Sequence, residues 1–350
     1  MTKDTSIWMA MKEINVFTLM SRYRSELMGI AILGVLVGHF ISLTGISHDI
    51  IWVKLLGIVP RLAYTQGFLL LSGLGLYYSF THNGDIRQFY VRRIKRLVIP
   101  FFLLSAWYFI YTDFIADFSP VLFIGHVSSI AFWFVGNYCG MWYIAISFVM
   151  YALFPFMYKL LIDSNLHRLR GGKICLLLLL AAAIMIDLGL RYMQPKYYEM
   201  VSIGIRQIPA FVFGIYAGYL SLQGKSRDSW ILVAACVAAY IICFLMDYKA
   251  MKGILEKIIC MSVISLMLYK SDRLRPVSVL RSILSWLGRY SLELYLLHLF
   301  IYCFLGKEEL FGEVNIYLRC ALMIVISLAI CAPSHKAVDI IVNRIIFKHK

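Results

Sequence analysis

Apolar residues recur along this chain in stretches of about 18 or more, each long enough to cross a bilayer as a helix. About ten such stretches are legible: Leu27–Gly45, Leu62–Phe80, Leu97–Ala116, Met141–Leu161, Ile174–Tyr192, Ile203–Leu222, Trp230–Asp247, Ile254–Tyr269, Ser285–Leu305 and Asn315–Ala332. Pro120–Phe134 is apolar but short, and reads as a re-entrant or interfacial segment. Ala337–Phe347 has the pattern of an amphipathic helix lying at the interface. The expected fold is therefore an all-α, polytopic transmembrane helical bundle. It divides into an N-terminal segment (1–26), the bundle (27–332) and a short tail (333–350). No repeat of fixed period and no pair of broken helices in corresponding halves is visible, as an inverted-repeat transporter would show. The polar N-terminus lacks a basic stretch leading into a cleavable apolar segment, so no signal peptide is expected.

Composition supports the same class. Hydrophobic residues make up 61% of the chain and charged residues 15%, with mean hydropathy +0.78. A net charge of +15 would suggest nucleic acid in a soluble protein. In a membrane protein, Lys and Arg crowd the cytoplasmic loops instead. With the N-terminus inside, the inner segments hold 23 basic residues and the outer loops 7. That asymmetry predicts both termini in the cytoplasm and no nucleic-acid partner. The 8 cysteines form no CxxC pair and mostly sit in apolar runs, so neither a disulfide framework nor a metal site is expected.

Charged groups inside hydrocarbon cost at least about 2.5 kcal/mol each, so every one asks for a partner or a task. His39 in the first span and His298 in the ninth fall at similar depth in two helices running the same way. Asp187 and Arg206 share that outer half, and Glu293 lies nearer the middle. These groups either satisfy one another across helices or handle protons. An imidazole suits general-base work because its ordinary pKa is near neutrality. Arg92, Arg93, Lys95 and Arg96 lie together in FYVRRIKRLVIP. They form either a lipid-facing basic collar or a seat for a phosphate-rich cytosolic ligand. Arg93 and Arg96 share one helix face. Ser72, Gly73 and Gly75 remove bulk from the second span and read first as packing, with a minor polar role open to Ser72.

Several segments together resemble the bacterial membrane acyltransferase-3 family: YRSELMGIAILGVLVGHF ending in His39, GFLLLSGLGL, FYVRRIKRLVIP with Pro100, MWYIAISFVMYALFP with Trp142-Tyr143, RQIPAFVFGIYAG, and SLELYLLHLFIY with His298. They fall in the family's order from Tyr23 to Tyr302. The resemblance implies an O-acyltransferase of the bacterial cytoplasmic membrane, moving an acyl group, usually acetyl, from acyl-coenzyme A to a hydroxyl of a surface glycan. It implies acyl-coenzyme A as co-substrate, no tightly bound cofactor and no metal. The implied partners are the lipid bilayer, a glycan or lipid-linked glycan acceptor, and glycan-assembly proteins. The implied roles are His39 as base or acyl relay, with His298 or Glu293 orienting it. Arg92, Arg93 and Arg96 would bind the donor, and Arg206, Ser72 and Trp142 would serve the acceptor or the oxyanion. The family places an Arg eleven residues before the His; here that position is Met28, with Arg24 one turn earlier. The alternative is a multispan transporter or flippase of a glycan or organic anion. The enzyme reading expects a basic cytosolic rim that opens into a continuous polar shaft containing His39.

Overall fold

The computed structural model describes residues 14–47, 49–163, 172–272 and 274–346. The first 13 residues of the expected N-terminal segment and the last four of the expected tail lie outside the described residues. Its main helices are α1 (Val16–Arg22), α2 (Arg24–Thr44), α3 (Thr65–His82), α4 (Ile86–Arg93), α5 (Ile99–Phe109), α6 (Trp142–Tyr158), α7 (Lys173–Met193), α8 (Pro195–Ile205), α9 (Ile208–Leu222), α10 (Ser226–Leu245), α11 (Lys249–Lys270), α12 (Arg275–Arg289), α13 (Ser291–Leu305) and α14 (Ile316–Ile340). Short helical pieces connect them, and the described residues contain no strand. Eight helical stretches among the described residues are long and apolar enough to cross a bilayer, so this is an all-α, multi-pass membrane protein.

The two remaining expected spans are helical but depart from the simple pattern. The body of α11 carries Lys252, Glu256 and Lys257. The expected ninth span is broken at Tyr290, leaving α13 with 15 residues. The segment before the break, α12, ends in Arg289 and is held to α2 by charge. Arg281 pairs with Glu26 at 3.2 Å and also with Asp272. Val279, Leu280, Ile283 and Trp286 are left exposed. The segment expected as a separate interfacial helix instead prolongs α14, which runs through Pro333 into a π-helical stretch, Ile341–Ile346.

The third span begins earlier than its apolar run suggests, because the basic cluster is built into the same rod from Ile86 to Ala116. Pro100 explains the local geometry. It has no N–H to return to the carbonyl one turn back, and the ladder slips to a π-helical turn over Ile94–Val98. There the Ile99 N–H reaches the Ile94 carbonyl, five residues back.

At the centre, α3 and α9 pack backbone to backbone. A Cβ on Gly214 would overlap the Leu70 carbonyl, and one on Gly73 would overlap that of Phe211. Gly214→Val is therefore expected to cost at least 1–3 kcal/mol, roughly the ordinary range for overpacking, because carbonyls cannot swing aside as side chains do. The check is the thermal midpoint and monodispersity of the protein in detergent. Gly189→Val, where a side chain meets nothing within 4 Å, should leave both unchanged.

Candidate active site

Two cavities occupy opposite ends of α2. The first, of about 120 Å³, lies at the helix's N-terminal end and is lined by Arg24, Met28, Ser72, Arg93 and Arg96, with Tyr143, Tyr151 and Tyr295 among its walls. The slipped turn before Pro100 leaves Arg93 and Arg96 on its lining. Arg92 is not in the wall, but its Nε and Nη2, like the Nε of Arg93, are buried with no hydrogen-bond partner. Such atoms are costly unless an anion completes them. Arg93 is held from behind by the rings of Phe89 and Tyr151, at 5.6 and 5.9 Å from its guanidinium carbon. Arg24 enters over Gly75, where any side chain would press on its guanidinium, and its Nε donates to the Leu71 carbonyl at 3.1 Å. Met28 and Arg24 thus line one cavity, and the guanidinium comes from Arg24.

The second cavity, of about 380 Å³, surrounds His39. Its walls include Tyr64, Gln66, Asn137, Trp142, Gln207 and Tyr295. His298 is fully buried behind His39, its Nε2 3.0 Å from His39 Nδ1 and its Nδ1 2.9 Å from the Leu294 carbonyl. A carbonyl only accepts, so His298 Nδ1 carries its proton. In the neutral ring Nε2 is then an acceptor, and His39 Nδ1 must donate to it. The remaining nitrogen, His39 Nε2, is a bare lone pair for the cavity. The pair is a base with its tautomer set by a backbone carbonyl.

The expected continuous shaft is interrupted. Tyr295 is a wall of both cavities, Tyr143 packs on it with ring centroids 4.7 Å apart, and Phe68 backs Tyr143 at 6.0 Å. The Tyr295 hydroxyl donates to the Gly140 carbonyl at 2.8 Å, which holds this aromatic partition in place.

Residues 27–334 match the family model described as the acyltransferase domain. The chain belongs to that family. No curated protein and no solved structure gives a match.

In this acyltransferase the structure separates the sequence candidates. His39 and Trp142 line the larger cavity with His298 buried behind His39, and Ser72 joins Arg93 and Arg96 at the smaller one. Glu293 faces away from both, with its carboxylate 2.7 Å from His335 on α14, so it does not orient His39. Arg206 lines neither cavity. Its Nε and Nη2 donate to the Tyr198 hydroxyl at 2.9 and 2.7 Å, and Asp187 lies 3.7 Å away. That network neutralises Arg206 between α7 and α8. Its neighbour Gln207 lines the larger cavity instead, and Gln66, Asn137, Tyr64 and Tyr295 were not singled out from sequence. Tyr295 had a signal, since it sits three residues before His298 on one helix face. The others are uncharged loop and helix-end residues without spacing to mark them.

Arg24→Ala is expected to weaken binding of inorganic pyrophosphate in the arginine cavity by roughly 10-fold or more, the loss of a hydrogen bond to a charged group. Calorimetric titration measures it, and an unchanged affinity would remove Arg24 from anion binding in this cavity.

Proposed function

We propose that this acyltransferase takes an acyl group, acetyl in the simplest case, from cytosolic acyl-coenzyme A and places it on a hydroxyl of a glycan. The glycan would be presented at the outer face of the bacterial cytoplasmic membrane. The observation that carries the reading is the polarised imidazole pair, whose one free nitrogen belongs to a cavity remote from the arginines. The distribution of basic residues supports a cytosolic position for the arginine cavity. The unpartnered guanidinium nitrogens of Arg93 in its wall, and of Arg92 next in sequence, suit the phosphates of coenzyme A.

In the reaction, His39 Nε2 accepts the proton of the acceptor hydroxyl as the oxygen attacks the thioester carbonyl. His298 Nε2 accepts from His39 Nδ1 and supports the imidazolium that forms. The C–S bond then breaks, and the coenzyme A thiolate takes the proton back from His39. Tyr143 and Tyr295 must part for the thioester arm to reach this point. Gln207 supports a polyhydroxylated acceptor. Its amide nitrogen donates to the Ile203 carbonyl at 3.1 Å, and its buried Oε1 is left without a donor. A sugar hydroxyl supplies one.

Mass spectrometry of surface glycans with and without the protein tests the reading, the expected result being loss of one acyl increment. Purified protein in proteoliposomes should release coenzyme A thiol only when acceptor is present. Acceptor movement without thiol release would favour transport and overturn the proposal.

A further inference from the structure

The His39 cavity is not closed toward its own face of the bilayer. Ser42, Tyr64 and Gln66 line it and also line a larger cleft of about 1100 Å³, which makes them the doorway between the two. Lys54, Arg61 and Lys257 line that cleft, against Asp49 as its carboxylate. Lys54 and Arg61 come from two short helices, Ile51–Leu56 and Ile58–Leu62, and neither has an acidic partner among the described residues. Lys257, buried on α11, is 3.0 Å from Glu256. The Oε1 of Gln66, at the doorway, is buried and has no donor.

This distribution runs against expectation. The loops on this face are poor in basic residues, yet two of them, Lys54 and Arg61, converge with Lys257 of α11 on one cleft leading to the base. Positive charge concentrated in a concave, partly dry site raises the local concentration of anions and orients them. We propose that the acceptor is an anionic glycan, and that Lys54, Arg61 and Lys257 seat its oxyanion, a phosphate ester or a carboxylate, while the hydroxyl to be acylated passes Tyr64 and Gln66 to His39. The inference rests on the acyltransferase reading and adds the substrate class. Arg61 presents a planar fork suited to either oxyanion, with the lysines as point charges beside it.

The experiment uses the full chain in nanodiscs and three probes that share a ring: glucose, glucuronate and glucose 1-phosphate. Binding is followed by saturation-transfer NMR, with acetyl-coenzyme A binding measured in parallel. The two anions should bind at least about 10-fold tighter than glucose, and the preference should shrink as salt rises. The larger gain of the two identifies carboxylate or phosphate as the group seated. In the double variant Lys54→Gln, Arg61→Gln, both anions should fall to the affinity of glucose, with acetyl-coenzyme A binding unchanged as evidence of an intact fold. Anions that bind no tighter than glucose, or not at all, would overturn the proposal. So would a preference that survives in the double variant. Failure of the acyltransferase reading itself appears elsewhere, as absent coenzyme A release from a protein that still binds these probes.

Discussion

Replacing His39 with alanine is expected to reduce acyl transfer by a factor on the order of 10²–10⁴, the usual contribution of a positioned general base, with acyl-coenzyme A affinity unchanged. The separation follows from the geometry. His39 lies 11 residues from Met28 along α2, about 16 Å at the helical rise, so its loss does not touch the arginine cavity. His298→Ala should be damaging too, because the proton on His39 Nδ1 would lose its acceptor and the ring its fixed tautomer. His298 lines neither cavity, so the loss should fall on kcat and leave both KM values near those of the parent. Turnover of His39→Ala within about twofold of the parent would end the general-base assignment.

Arg93→Ala combined with Arg96→Ala is expected to do the opposite, raising the donor KM with little change in kcat. Hydrogen bonds to charged groups contribute about 1.5–3 kcal/mol each, so losing two guanidiniums should weaken donor binding by roughly 10²-fold or more. The effect should shrink with a donor stripped of its ribose phosphate, since the arginines would then have less to hold. Donor titration by calorimetry measures both quantities, and equal loss with either donor would place the arginines' role outside phosphate recognition. Arg93 is the more exacting position, because Phe89 and Tyr151 already fix its guanidinium before any ligand arrives.

Hydropathy made the all-α membrane architecture plain, because a span announces itself over twenty residues and needs no tertiary information. It failed where short-range chemistry overrode the apolar run. The first part of the expected ninth span belongs instead to α12, which packs on α2 through Gly288 and the Arg281–Glu26 pair. The basic cluster runs into the third span's own helix through the π turn ahead of Pro100. Among site residues, the imidazoles were readable from matching depth in parallel helices, a one-dimensional quantity. Depth says nothing about which way a side chain faces around its helix, so it does not separate Glu293 and Arg206 from the base, although the pairing of Arg206 with Asp187 is one of the two readings it leaves open. Glu293 turns toward His335, and Arg206 toward Tyr198 and Asp187. Of the tyrosines between the cavities, Tyr143 stands in a quoted family segment and Tyr295 one turn before His298, but aromatic residues abound in every span and only packing shows that these two meet.

The Tyr143–Tyr295 partition bears on how such an enzyme coexists with an energised membrane. In the proposed orientation, a base reachable from one compartment and a cation-lined chamber open to the other would, if joined by water, form a conduit for protons. Two aromatic rings in contact deny water that path whenever no acyl chain is threaded between them. Under the proposed function, group transfer then proceeds without opening a continuous water path from one cavity to the other.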